Sequence, residues 1–320
     1  MKREQRLNFL FLILLFTTLL LTVTTYAWFS MNRMFELDSF DIQVATKGGL
    51  EISADGMDFK GVIGMIDLIN ANDTYPSNVN QIPNSIRPVS SGGEVENGFL
   101  KIYYGEVEQN LNNQILYAER SIEERGFNES NGDFIVFDVF LRTTYKRRVT
   151  ISPNSGVFLN SGVSGMENAF RVAFLNQGTS DDFDQIQNLK NADRSYMWEI
   201  NYDVHTENAI THAREIYNIN TTSSNAARIE YSGITNDISR ELMVNVQDAK
   251  SSMYPNLFKT VSIDFATKKD ETENKTIFDI ESGITKVRIY IWLEGQDIDC
   301  ENRSSVGNVS INIQFDADPI

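Results

Sequence analysis

From Leu7 to Phe29 the chain runs through leucine, phenylalanine, isoleucine, valine and threonine almost without interruption, and it carries no charge between Arg6 and Arg33. About 20 such residues, wound as a helix, are long enough to cross a hydrocarbon core of roughly 30 Å, whereas a secretory signal needs only about 7–15 apolar residues. A core helix of a cytosolic domain would show polar positions once per turn, and this segment is apolar all round. Lys2, Arg3 and Arg6 belong on the cytoplasmic side, because cationic residues flanking a membrane segment are retained there, so the C-terminal side goes out. Two fates stay open. Thr25 and Ala27 put small side chains at the positions signal peptidase reads, which would make Trp28 the first residue of a secreted form. Tyr26 and Trp28 equally suit an aromatic anchor at the interface, in which case residues 7–29 hold the protein in the membrane by a single pass. Residues 1–30 are thus a signal peptide or a transmembrane anchor, and residues 31–320 an extracellular body.

That body is acidic. The formal net charge of the chain is −16, and the N-terminal segment contributes mostly basic residues, so the exported part is more negative still. A polyanion would be repelled, which excludes nucleic acid as a partner and disfavours an anionic membrane surface. With a single cysteine, Cys300, no intramolecular disulfide is possible, and the thiol is either buried or a route to a covalent dimer.

The patterning of the body is β. Phe40 to Ala45 alternates apolar and polar residues, and Gly48-Gly49 separates it from Leu50 to Ser53, the signature of a hairpin. Residues 54–98 are rich in Asn, Asp, Gly, Ser and Pro and form a long decorated connection, with Pro83 to Pro88 extended. Gly98 to Val107 follows as a strand and Gln109 to Arg125 as a helix. Phe134 to Arg142, dominated by β-branched and aromatic residues, is a central core strand. Val149 to Ser152, Val157 to Leu159 and Ala169 to Phe174 are shorter strands. Residues 176–250 are the least regular part, with a helix over Thr206 to Tyr217 and a strand over Glu241 to Val246. Val261 to Phe265, Thr285 to Leu293 and Val309 to Phe315 complete the strands, the last two presenting one face each to the core. The expected fold is mainly β: an elaborated antiparallel β-sandwich, jelly-roll-like, with helical and loop insertions around 54–98 and 176–250, preceded by one N-terminal hydrophobic helix.

A nucleophile elbow, a phosphate-binding loop, a dinucleotide fingerprint and a paired-cysteine metal motif are all absent from the sequence. Asp203, His205 and His212 offer a weak metal-site pattern, with ordinary surface or capping residues as the blander alternative. Between two strands, Asp297, Asp299 and Glu301 alternate along a turn, where their carboxylates can converge on a hard cation such as calcium; otherwise they form a solvated acidic loop. No other cofactor is implied.

Thr24 to Ser30, at the end of the apolar segment, and Ile291 to Cys300, near the C-terminus, resemble surface proteins of Gram-positive bacteria. The first stretch also resembles the junction in TasA/camelysin-type proteins, whose apolar segment ends in a Tyr-Ala-Phe-like step before a mature β-sandwich. The resemblance implies export, a β-sandwich and, for some members, matrix fibres built by lending an N-terminal strand to the next subunit; it supplies no catalytic residues. The expected function is therefore that of an exported cell-surface or extracellular-matrix structural or adhesive protein, not an enzyme. Self-association or other surface proteins would be its partners, and Phe40 to Ala45 a candidate strand for filament formation. The rival is a membrane-anchored ligand- or carbohydrate-binding module using aromatics such as Tyr103, Tyr104 and Trp198, with an exported hydrolase further behind.

Overall fold

The computed structural model describes residues 35–36, 40–110, 113–122, 126–127, 132–160, 165–215, 228–300 and 309–320. The apolar segment 7–29, and with it Thr25, Ala27 and Trp28, lies outside the described residues. Among those described, no helix is long and apolar enough to cross a membrane.

In chain order the principal strands are β1 (Phe40–Thr46), β2 (Glu51–Ser53), β3 (Ile102–Asn110), β4 (Asn113–Ser121), β5 (Ile135–Thr143), β6 (Arg147–Ile151), β7 (Gly156–Leu159), β8 (Phe170–Ser180), β9 (Tyr196–Glu199), β10 (Lys275–Ile280), β11 (Gly283–Leu293) and β12 (Val309–Pro319). Among the described residues three α-helices accompany them: α1 (Met65–Thr74), α2 (Phe183–Asn188) and α3 (Glu207–Glu215). The long apolar strands behave as their composition requires. β5, β11 and β8 lie side by side and antiparallel at the centre of one sheet, with β9 beyond β8 and β2 on the outer end of β5. A second sheet runs β10, β6, β12, β1 and then Val62–Gly64, with β7 also on β12. Alternate residues of each meet in the space between: Ile42 and Val44 of β1, Val149 and Ile151 of β6, and Ile311, Ile313 and Phe315 of β12 pack against Phe137, Val139, Val172, Phe174, Val287 and Ile289. Both sheets present an alternating apolar face to this space, which makes a β-sandwich.

The body is mainly β, as the patterning requires, but the first sheet departs from a simple sandwich in being buried on both faces. Every residue of β5 from Ile135 to Leu141 is buried, as is every residue of β11 from Val287 to Leu293. The expectation of a single core face for Thr285 to Leu293 is corrected accordingly. A third layer covers the outer face: Val89, Leu100, Ile102, Tyr231 and Val261 pack on Val136, Ala173, Leu175, Tyr290 and Trp292. The residues that supply this layer come largely from stretches whose polar, turn-rich composition conceals a scattering of buried apolar side chains.

Three local expectations are overturned. Over the described residues of Gln109 to Arg125 the chain is strand and not helix: β3 and β4 form a hairpin in register from Ile102↔Ser121 to Asn110↔Asn113, and Ile115, Leu116 and Ala118 are all buried. A single helix would have had to bury that set on one stripe, whereas the pairing with β3 satisfies the same backbone and places both faces against neighbours. Val261 to Phe265 is not one strand, because the chain changes sheet within it, Phe258–Thr260 pairing with Ser232–Ile234 and Phe265–Ala266 running parallel to β9. The strand expected over Glu241 to Val246 shrinks to Val244–Asn245 between two 3-10 turns.

A further correction concerns Gly48-Gly49. It does not close a hairpin; β1 belongs to the second sheet and β2 to the first, and the two glycines carry the chain across the sandwich. Both have positive φ, 69° and 81°. At Gly48 a side chain would have no room, since a Cβ there would stand 2.5 Å from the carbonyl oxygen of Ala317 in β12. Gly48→Ala should therefore cost about 1–3 kcal/mol of unfolding free energy through strain and forced displacement of β12. Gly61→Ala, with nothing within 4 Å of the added carbon, is the matched control and should change little. Equal denaturation midpoints for the two variants would refute this account.

Candidate functional site

Cross-strand register decides which side chains share the outer face of the first sheet, because residues directly opposite on neighbouring strands point the same way. One row reads Glu199 on β9, Arg171 on β8 and Trp292 on β11. The next is apolar: Met197, Ala173, Tyr290 and Val136. A third brings Leu175, Arg288 and Asp138 into line. Two ionic groups thus sit on a buried sheet face, divided by an apolar row.

In the first, Arg171 is fully buried and donates from Nη2 to Glu199 Oε1 at 3.0 Å and to Asp297 Oδ2, and from Nη1 to the carbonyls of Asn168 and Phe170, both at 2.9 Å. Arg228 donates to the other oxygen of Glu199. Burial opposes the charge on Arg171, but the carboxylates of Asp297 and Glu199 outweigh it and hold the guanidinium protonated. The turn after β11 closes over this group. Glu294, fully buried, accepts from the indole N–H of Trp292 at 3.0 Å and from the backbone N–H of Gln296 at 2.9 Å and Ser91 at 3.3 Å. Asp297 Oδ1 accepts from the N–H of Asp299 at 2.8 Å, and Asp299 Oδ2 lies 2.7 Å from His205 Nδ1. Burial pushes Glu294 up to about 7 despite its donors, and pushes Asp299 up to about 7 against the pull of His205.

The acidic turn is accordingly not a solvated loop. Asp297 and Asp299 face inward and spend their oxygens on Arg171, His205 and the backbone, while Glu301 lies outside the described residues. Among the described residues no three His, Cys, Asp or Glu side chains converge as a metal-ligand set. Asp203 accepts from the N–H of Lys269 at 3.0 Å instead of joining His205, and the side chain of His212 is outside the described residues. Cys300 is buried in the sandwich core. The aromatics expected to be exposed binding groups are mostly inside: Trp198 stacks with Phe174 and Phe265 in the core, Tyr103 is buried, and half-buried Tyr104 lies under the Arg87 guanidinium.

Arg171, Glu199 and Arg228 escaped the reading of the sequence as site residues. A signal was present. A lone charge inside an apolar strand, as in Ala169 to Phe174, is seldom fully buried without a partner. What it could not show was the partner, which lies 28 residues away for Glu199 and 126 for Asp297.

The class these features define is a three-layered β-sandwich whose covered sheet face is held by buried ion pairs. Compared with protein-family models, curated proteins and solved structures, the chain matches none.

Proposed function

We propose that the protein is an exported surface or matrix component with a structural or adhesive rather than catalytic role, kept at the membrane by its N-terminal segment or released from it. The observation that carries this reading is the pairing of the first long strand with the last. β1 runs parallel to β12 in unbroken register from Phe40↔Val309 to Thr46↔Phe315, with Val62–Gly64 along its other side and Ile42 and Val44 fully buried beneath it. In a parallel pair, a pull on the N-terminus of one strand and the C-terminus of the other slides the strands past each other, so the whole ladder must yield at once. An antiparallel pair peeled from its end gives way one bond at a time. A body tethered through its N-terminus and gripped elsewhere gains resistance from the first arrangement.

The same pairing bears on self-association. β1 fills a place in its own sheet, so a filament built by lending this strand would require exchange between subunits, and partners acting on the folded body would use other surfaces.

Single-molecule pulling tests the reading. Stretching the soluble body, residues 31–320, between its two termini should give a distinctly higher peak force than stretching between the N-terminus and a handle on Ile66→Cys. Ile66 is exposed, two residues past Gly64, which registers with Gln43 midway along β1; the pair is antiparallel, so both pulling points lie toward the same end and that geometry peels the strand sideways. Equal peak forces in the two geometries would overturn the proposal.

A further inference from the structure

The acidic turn is fastened at one end by the backbone and beyond that by carboxyl groups. Its start is pinned by two backbone bonds, from Glu294 N–H to the carbonyl of Ala169 at 2.9 Å and from Gly295 N–H to that of Val89 at 2.8 Å. Residues 296–299 are then tied to the rest of the described chain through Asp297 on Arg171, and through Asp299 on His205 and the N–H of Thr206. The helix α3 is fastened to this turn in its own right. Ala209, Ile210 and Ala213 form a small apolar cluster with Ile298 and Ile229, separate from the sandwich core, and His205 lies just before the helix.

The charges around the turn balance only while two of its carboxyls are protonated. Arg171 and Arg228 face Glu199 and Asp297, two cations against two anions. Tyr231 adds no charge, since burial pushes its hydroxyl well above the usual tyrosine range. Glu230 and Lys250, both exposed, offset each other across the neighbouring cavity, and Glu207 and Arg214 of α3 are exposed. Burial holds the protons of Glu294 and Asp299 up to about 7. Once both are lost, two anions stand in an enclosure whose arginines are already matched, and a buried charge without a counter-ion is costly.

Closure also leaves polar atoms unsatisfied. Seven buried side-chain nitrogens and oxygens lack a partner among the described residues, and three of them lie in or under the turn: Gln296 Nε2, Tyr231 Oη and Arg171 Nε. Water reaching them offsets part of the cost of opening. A cavity of about 320 Å³ between the turn and the segment after residue 228 gives the turn room to shift. We propose that the turn from Glu294 to Cys300 is a proton-operated clasp, closed over Arg171 while Glu294 and Asp299 keep their protons and lifted away together with α3 when they lose them, with the sandwich beneath intact. The open form presents Ile298, the apolar stripe of α3 and the Arg171 group, a surface that exists only above neutral pH. The clasp is independent of the force-resisting role.

Hydrogen exchange of the full chain, followed by mass spectrometry at pH 6 and pH 8 and corrected for the intrinsic rate at each pH, tests it. A carboxyl protonated in the closed turn and ionised in the open one multiplies the opening equilibrium about tenfold per pH unit up to its closed-state pKa and little beyond, so each contributes about tenfold across this range. Amides of α3 and of residues 296–300 should therefore exchange about a hundredfold faster at pH 8, while those of residues 287–293 in β11 keep their protection. Glu294→Gln combined with Asp299→Asn should abolish the change, and Asp299→Asn alone should leave about tenfold. The comparison of α3 with β11 in the unaltered protein needs no variant to fold. Exchange in α3 that is equal at the two pH values, that accelerates to the same extent in β11, or that keeps its full acceleration in Asp299→Asn would each overturn the clasp.

Discussion

Replacing Asp138 with alanine should destabilise the protein by about 3–5 kcal/mol, because it strands two cations in the interior. Asp138 faces outward from β5 into the covered side of the sheet, with no exposed surface, and it is the shared counter-ion of Arg288 and Lys286, which are equally buried. Arg288 holds it bidentately at 2.8 and 3.1 Å, Lys286 Nζ stands 3.3 Å away, and the Tyr75 hydroxyl donates at 2.7 Å. Burial alone would raise the carboxyl pKa; Arg288 first and Lys286 second override it and hold the group well below the usual carboxylate range. Lys286 has further support from the carbonyls of Gln187 and Leu189 at the end of α2, at 2.7 and 3.1 Å. Carbonyls cannot neutralise an ammonium, so the loss of Asp138 leaves the charges uncompensated. Urea unfolding of Asp138→Ala measures the effect. The triple variant Asp138→Leu, Lys286→Met, Arg288→Met should recover much of it, since an apolar replacement of similar volume removes the charges with their counter-ion. A loss below about 1 kcal/mol in the single variant would show that solvent reaches the group and that the third layer is looser than described.

The second large effect is a dependence on pH opposite to that of most acidic proteins. Glu294 and Asp299 bind their protons more tightly in the folded protein, with pKa near 7 for both, than in the unfolded chain, where 4.5 and 3.8 apply. A raised pKa contributes stability that is complete below the unfolded value and is lost as pH rises through the folded one. Stability should therefore fall between pH about 4.5 and 7, by on the order of 3 kcal/mol from Glu294 alone, and level off above. Asp138, Asp55 and Asp67 act in the reverse sense, since their lowered pKa values give stability that is present above 3.8 and lost as pH falls further. Their window lies below that of Glu294, so maximal stability should sit near pH 4, where the two windows meet. Melting temperatures measured from pH 4 to 8 would show this as a decline across the neutral range, and Glu294→Gln should reduce the slope while retaining the hydrogen bond to Trp292. A curve that rises from pH 5 to 7.5, or one whose slope survives intact in Glu294→Gln, would contradict the assignment of the buried proton.

The neighbourhoods of Asp138 and Glu294 illustrate how far residues speak for themselves. Phe134 to Arg142 and Thr285 to Leu293 are recognisable as strands, since a run of β-branched and aromatic side chains has few other low-energy uses. The single charges within them are visible too. Whether such a charge meets solvent or an opposite charge depends on register with a strand 150 residues away, and register is set by the summed fit of every pair along the ladder, not by the residue itself.

Local patterning by itself determined that this chain would be a mainly β body with strands where β5, β8, β11 and β12 stand, because period-two alternation and side-chain branching act within a few residues. Only the tertiary structure decided that Gly48-Gly49 crosses between sheets, that β1 lies parallel to β12, and that the acidic turn from Glu294 to Cys300 is folded inward over Arg171. Each of those outcomes turns on a long-range competition: burial of Ile42 and Val44 between sheets against a local hairpin, and an ion pair formed out of water against the hydration of an exposed carboxylate. Such balances are struck between segments far apart in sequence, and no window of neighbouring residues contains both sides of them.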